Sequence, residues 1–295
     1  MPLDATVNFH SGNASILAQA AQAAYLDQNG ARAKAADLGF RAFQWIDLSE
    51  LFEDLHAFAA SDAGSVVLAF RGTHEAQDWM DDLRATPVRF SWLFEGAPEV
   101  GDVHAGFGHA LRDAWDRIDN AVNAVAPKPP PEASLADIAA APARSFWITG
   151  HSLGGALAVL AGAAYSLLPG GVLRSINGIY TFGQPRIGLH PFCGNYDHLL
   201  ETKTFRFVNK QDLVPRVPFR GWDYADIGQM IHFDDAGAPH IESPQWSNLL
   251  IRTFDSFGDF FSIAGNIRTD VGDHSMDGYA NVVESQAGAL DALFA

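Results

Sequence analysis

The chain has 295 residues, of which 48% are hydrophobic, enough to build one sizeable core from end to end. Acids outnumber bases 35 to 19 for a formal charge of −16, so nucleic acid and anionic membrane surfaces are excluded as partners. The single cysteine, Cys193, rules out an internal disulfide, and neither cysteines nor histidines cluster with the spacing of a zinc site.

The start, MPLDATVNFH, lacks a basic stretch before an apolar one, so no signal peptide is expected. With the missing cysteine pair, this sets the expectation of a cytoplasmic protein, export by a leaderless route or from a trimmed chain remaining open. SILAQAAQAAYL (15–26) is too short and polar to span a bilayer and reads as an N-terminal helix. LHAFAAS (55–61) and SVVLAFR (65–71) are extended runs around a DAG turn, the pattern of a hairpin. A helix is expected at about 107–125. APKPPPEAS opens a long exposed loop over about 126–144, read as an insertion within a single domain of residues 1–295. Beyond it lie a helix (GALAVLAGAAYSLL), strands at 176–183, 203–209 and 227–233, and a further helix over 246–267. In that last segment Leu250, Phe254, Phe257 and Phe261 share one face, read as core. Strands alternating with helices predict an α/β fold: a predominantly parallel sheet covered on both faces.

One segment carries chemistry. SFWITGHSLGGALAVLAGAAY (145–165) runs from an apolar strand through Gly-His-Ser-Leu-Gly into a helix. In a G-x-S-x-G corner the serine takes a strained backbone conformation, and side chains two positions either side would collide, hence Gly150 and Gly154. Ser152 is therefore the candidate nucleophile, with the Leu153 N–H and the helix start favouring negative charge at the same place.

A serine hydroxyl needs a base, and in such folds the partners follow in the order Ser, Asp or Glu, His. His232 falls inside an apolar run and reads as a core histidine. His240 sits in a proline-flanked loop. His274, in VGDHSMDGY, precedes a helical apolar pattern of Met276, Tyr279, Val282 and Val283 and is the preferred base. For the acid, Asp212 follows a strand in the two-proline loop NKQDLVPRVP, at the strand end where such sheets place their ligands. Asp273, Asp234 and Asp235 are its rivals. A second oxyanion donor is expected after an earlier strand, and AFRGT offers the Thr73 N–H. The helix that follows places Ala76, Trp79, Met80 and Leu83 on one stripe. It reads either as a fixed surface helix or as a lid over about 73–86, with Trp79, Met80 and Leu83 facing substrate.

These segments resemble the class 3, filamentous-fungal-type triacylglycerol lipases of the α/β-hydrolase fold. The likeness rests on AFRGT (69–73), DWMDDL (78–83), VHAGFGHAL (103–111), ITGHSLGGALA (148–158), TFGQPRIG (181–188), FVNKQDLVPRVP (207–218) and DHSMDGY (273–279), in that order. It implies Ser152, Asp212 and His274 as the triad, Thr73 and Leu153 as the oxyanion hole, a mobile lid, and neither cofactor nor metal. It also implies a lipase acting on lipid or ester substrate, possible at a lipid–water interface. The alternatives are an esterase for short-chain or aromatic (feruloyl-type) esters without interfacial activation, and an inactive lipid-binding homologue.

Overall fold

The computed structural model describes residues 3–6, 8–51, 55–73, 86–126, 144–169, 175–242 and 272–295. Its backbone is a mixed sheet of eight strands. In spatial order these are β1 (Ala42–Asp47), β2 (His56–Ser61), β3 (Ser65–Phe70), β6 (Ser145–His151), β7 (Ile176–Phe182), β9 (Thr204–Asn209), β11 (Gln229–Phe233) and β12 (Pro239–Glu242). From β3 to β11 neighbouring strands are parallel. The antiparallel pairs sit at the edges, β1 with β2 and β2 with β3 on one side, β11 with β12 on the other. The expected 55–71 hairpin is the β2–β3 pair, and Asp62 shapes its turn by accepting from the N–H groups of Gly64 and Ser65. Two edge strands, β1 and β12, were not anticipated.

Strands β3, β6 and β9 are buried along their length because both faces are covered. Alternation splits their side chains between two cores. Val66, Leu68, Phe70, Phe146 and Ile148 pack beneath the helices Ala105–Val125 and Leu153–Leu167. Val67, Ala69, Trp147, Tyr180, Phe182, Phe205 and Phe207 face the opposite layer, formed by the N-terminal helix Ser11–Ala23 and the helix Met276–Ser285. A second sheet of four short antiparallel strands runs β10 (Tyr224–Ala225), β8 (Gly188–Leu189), β5 (Asp102–His104), β4 (Pro87–Arg89). Strands of two or three residues leave too short a pattern for alternation to reveal.

Among the described residues, no helix is long and apolar enough to cross a membrane. The expected lid with Trp79, Met80 and Leu83, the insertion after residue 126 and the 246–267 helix lie outside the described residues, apart from Thr73, Thr86, Ala126 and Arg144 at their margins.

Candidate active site

Strand β6 runs through His151 and the helix Leu153–Leu167 starts two residues later, so the chain reverses at Ser152. Its backbone takes φ 55° and ψ −127°, a region that non-glycine residues rarely occupy. A Cβ on Gly150 would lie 2.2 Å from the Gly154 carbonyl oxygen. One on Gly154 would lie 2.6 Å from the carbonyl oxygens of Phe70 and Arg71. Only glycine fits either place. Ser152 donates its own N–H to the Phe182 carbonyl at 2.9 Å, fastening the corner to β7. Although it occupies the N-cap position, its side chain caps nothing. The hydroxyl instead lies 2.9 Å from His274 Nε2.

The other nitrogen of His274, Nδ1, is 2.8 Å from Asp212 Oδ2. Deep burial keeps Asp212 from water, yet its carboxylate is well supplied with donors. Oδ1 accepts the Val214 N–H at 2.9 Å, and Oδ2 accepts the Tyr279 hydroxyl at 2.6 Å as well as His274. A carboxylate can only accept, so Nδ1 carries the proton and Nε2 is left as an acceptor facing the serine hydroxyl. Ser152, Asp212 and His274, far apart in sequence, are thus joined by two hydrogen bonds.

The loop carrying His274 is tied to the loop carrying Asp212. Asn209 Nδ2 donates to the Asp273 carbonyl at 3.1 Å, and the Gln211 N–H reaches Asp273 Oδ2 at 3.4 Å. The rival acid Asp273 therefore faces the other loop and not the imidazole. Asp234 pairs with His240 at 3.0 Å at the surface, and Asp235 is exposed. His232 lies only half-buried, its Nε2 2.9 Å from the Lys210 carbonyl oxygen, rather than in the core as its apolar neighbours suggested.

Two further residues shape the constellation. Gly183 has φ +58°, and a Cβ there would fall 2.9 Å from both Asp212 Oδ2 and His274 Cε1. Tyr279, which read as one of four apolar helix positions, bridges the Asn209 N–H at 3.0 Å to the Asp212 carboxylate. Burial and the neighbouring Asp212 charge hold its phenol far above the ordinary tyrosine range, so it remains a donor. An aromatic at helical spacing carries no mark of such a role.

Leu153 occupies the first position of its helix, where no intrahelical acceptor exists for its N–H. On the facing strand end, Gly72 is packed so closely that a Cβ would lie 2.9 Å from Ser152 Cβ. Thr73 follows it, and among the described residues its buried Oγ1 has no hydrogen-bond partner. A cavity of ≈ 290 Å³ lined by Trp115, Tyr165 and Leu168 lies at the far end of the helix that starts beside Ser152, away from this constellation.

The Asp212 loop is also clamped from behind. The Arg186 N–H donates to Val217, and its guanidinium to the carbonyls of Arg216 and Pro218. Arg186, Arg206 and Arg220 all contact the carboxylate of Asp226. Burial alone would raise this carboxyl; the three guanidiniums outweigh burial and hold it far below the usual carboxylate range.

Residues 67–222 match the sequence profile of the family described as lipase (class 3). The chain is 30% identical over 220 residues to a triacylglycerol lipase of Ricinus communis, OBL1, spanning 61% of this chain and 40% of that protein. It is also 30% identical over 182 residues to phospholipase A1-II 1 of Oryza sativa subsp. indica, spanning 61% and 45%. The solved structure of a lipase from Rhizopus microsporus var. chinensis covers 84% of this chain and 85% of its own, with a TM-score of 0.57 at 27% identity. The chain spans less than half the length of the two curated relatives.

Proposed function

The chain belongs to the class 3 lipase family and has the α/β-hydrolase fold, and from that premise we propose that it is a serine carboxylester hydrolase acting on acylglycerols. One observation carries the reading: the Ser152 hydroxyl stands 2.9 Å from His274 Nε2, whose Nδ1 proton is held by Asp212 at 2.8 Å. His274 takes the hydroxyl proton as Ser152 attacks the ester carbonyl, giving a tetrahedral oxyanion. The N–H groups of Thr73 and Leu153 receive that charge. Donors fixed beforehand stabilise a transition state by about 3 kcal/mol each, because nothing need reorganise as the charge develops. His274 then returns its proton to the leaving alcohol, and water, activated by the same imidazole, releases the acid. Asp212 holds the tautomer and offsets the imidazolium charge throughout.

The acylglycerol assignment draws on the triacylglycerol lipase among the relatives, and the phospholipase A1 makes glycerophospholipids the natural comparison substrate. The stripe of Trp79, Met80 and Leu83 suits a lid that yields at a lipid–water interface. Labelling by a fluorophosphonate followed by peptide mapping tests the chemistry: modification at Ser152, lost in Ser152→Ala with the fold retained, is expected. Turnover by that variant at the wild-type rate would refute the mechanism. Rates on glycerol esters of increasing chain length, below and above their solubility limit, test the substrate. A jump on crossing the limit is expected of a lipase; a smooth profile restricted to short chains identifies an esterase.

A further inference from the structure

The second residue of the serine corner takes no part in the reaction just described, yet it is more elaborately paired than the reaction alone explains. His151 is buried at the end of β6, beside Ser152. Its Nε2 lies 2.7 Å from the carbonyl oxygen of His274 and its Nδ1 lies 2.6 Å from the hydroxyl of Tyr25. The two imidazole rings are tilted by 36° with centroids 4.6 Å apart. Tyr25 comes from the N-terminal segment, just past the helix Ser11–Ala23, and its oxygen receives the N–H of Gly72, the residue before Thr73.

Chemistry orients every bond in this chain. The His274 carbonyl can only accept, so His151 Nε2 carries a proton. Burial, and secondarily the nearby His274, hold the His151 ring neutral, leaving Nδ1 as an acceptor for the Tyr25 hydroxyl. The Gly72 N–H donates into the lone pair that remains on Tyr25. The sequence Gly72 N–H, Tyr25 O–H, His151 Nε2–H, His274 C=O runs one way through three loops. They are the loop after β3, the serine corner and the histidine loop.

We propose that Tyr25 and His151 are positioning residues that hold His274 in register with Ser152. The inference rests on the reading of Ser152 and His274 as nucleophile and base. Ser152 and the anchor of the His274 backbone are sequence neighbours on one rigid strand end, so the distance between hydroxyl and imidazole is set by a single short stretch of chain. A second imidazolium at this ring separation would oppose protonation of His274; a neutral ring does not. Among the described residues, the titratable and charged groups facing the pair are Tyr25, Arg71 (whose guanidinium lies 5.4 Å over the Tyr25 ring), Asp212 and Tyr279; the Asp273 carboxylate turns away to the Gln211 N–H.

The test compares Tyr25→Phe, His151→Phe and His151→Gln with wild type, on a soluble short-chain ester and by the rate of fluorophosphonate labelling. Misplacement of a catalytic group by about 1 Å costs roughly a hundredfold. His151→Phe, which keeps a ring and loses both bonds, is expected to lower kcat by that order with KM within about twofold. His151→Gln, whose amide can donate to the His274 carbonyl, is expected to recover part of the loss. Tyr25→Phe is expected to lower kcat roughly tenfold and to displace the acid limb of the kcat/KM profile. Losses confined to KM, or a Tyr25→Phe enzyme with wild-type kcat and pH profile, would overturn the inference. A wild-type protein that neither turns over ester nor labels at Ser152 refutes the proposed function, and with it the catalytic part of the inference. Nitrogen-15 NMR of histidine-labelled wild type supplies a readout without any variant. His151 is expected as the Nε2–H tautomer at pH 7, its proton directed at the His274 carbonyl; a His151 that carries its proton on Nδ1 there overturns the arrangement.

Discussion

Adding one methyl group at Gly154 tests the corner directly. A Cβ there would stand 2.6 Å from the carbonyl oxygens of Phe70 and Arg71 and 2.7 Å from the Arg71 carbonyl carbon, where ordinary contact begins at 3.4 Å. All three atoms are backbone, so no rotamer change relieves the clash and the end of β3 must retreat by about 0.8 Å, the shortfall between 2.6 and 3.4 Å. That strand end leads into Gly72 and Thr73, so the retreat displaces the proposed oxyanion donor. Overpacking of this kind costs roughly 1–3 kcal/mol, or about 2–5 °C in Tm at this chain length, and a displacement approaching 1 Å costs up to about a hundredfold in kcat. The control is the same substitution at Gly194. That residue lies in the helix His190–Leu200, and a Cβ there meets nothing within 4 Å. Gly194→Ala should raise stability by about 0.5–1 kcal/mol through the lost freedom of the unfolded chain and leave turnover unchanged. Thermal unfolding and kcat on a soluble ester, measured for both variants, give opposite signs if the reasoning holds. A Gly154→Ala protein that melts no lower than wild type and turns over at full rate would refute the steric argument.

Other outcomes follow from the same contacts. Tyr279→Phe leaves the Asn209 N–H without its partner and removes one donor from Asp212; a loss of about 1–3 kcal/mol in urea unfolding is expected, with kcat reduced and KM held. Asp226→Asn leaves three arginines without their carboxylate. With 21% of that side chain exposed, the expected cost is about 3 kcal/mol, the low end for breaking a buried pair, and a variant within 1 kcal/mol of wild type would count against the cluster as a clamp. In wild type the folded Asp226 carboxyl is depressed relative to the unfolded chain, so its contribution is complete above about pH 4 and is lost as pH falls below it. His151 has the opposite chemistry and the same direction: its folded pKa lies well below the ordinary 6.5, so the unfolded chain binds the extra proton and stability drops as pH falls below that value. The slope attributable to this one group approaches about 1.4 kcal/mol per pH unit only well below pH 6.5, so it contributes about 1 kcal/mol to the difference between unfolding free energies at pH 7 and 5.5, a contribution that should be absent in His151→Gln.

How far the sequence discloses this molecule depends on how each residue's task constrains its neighbours. Strands β3 and β6 are legible because burial on both faces demands apolar runs such as VVLAF and FWI, and the 55–71 hairpin is legible because its turn needs Asp62 and Gly64. β5 and β8, of three and two residues, are too short to show any period, although they carry residues 102–104 and 188–189 into the second sheet. At the site, Ser152 stands out because its strained backbone requires glycines at fixed distances on both sides. Asp212 and His274 stand out less, by chain order and loop context, and the structure brings both to Ser152. Tyr279 and Tyr25 are hidden because an aromatic ring at a helix position satisfies the core whether or not its hydroxyl is used. His151 is hidden because it fills the unrestricted place between glycine and serine in the motif.

The hidden residues share a property that bears on how the constellation holds its shape. Ser152, Asp212 and His274 come from three loops, and a two-bond chain between loops would by itself leave each free to drift. What restrains them is a ring of polar contacts made by groups that do no chemistry: Tyr279 and Asn209 between the acid and histidine loops, Arg186 behind the acid loop, Tyr25 and His151 between the corner and the histidine loop. Each of these contacts is made by a buried or half-buried group, so breaking one leaves a desolvated partner and costs more than the bond returns when formed. The asymmetry gives the arrangement two states, assembled or broken, with little between. Substitutions in this outer ring should therefore reduce kcat in steps of roughly tenfold or more rather than by graded amounts, even where the substituted residue lies beyond reach of the substrate.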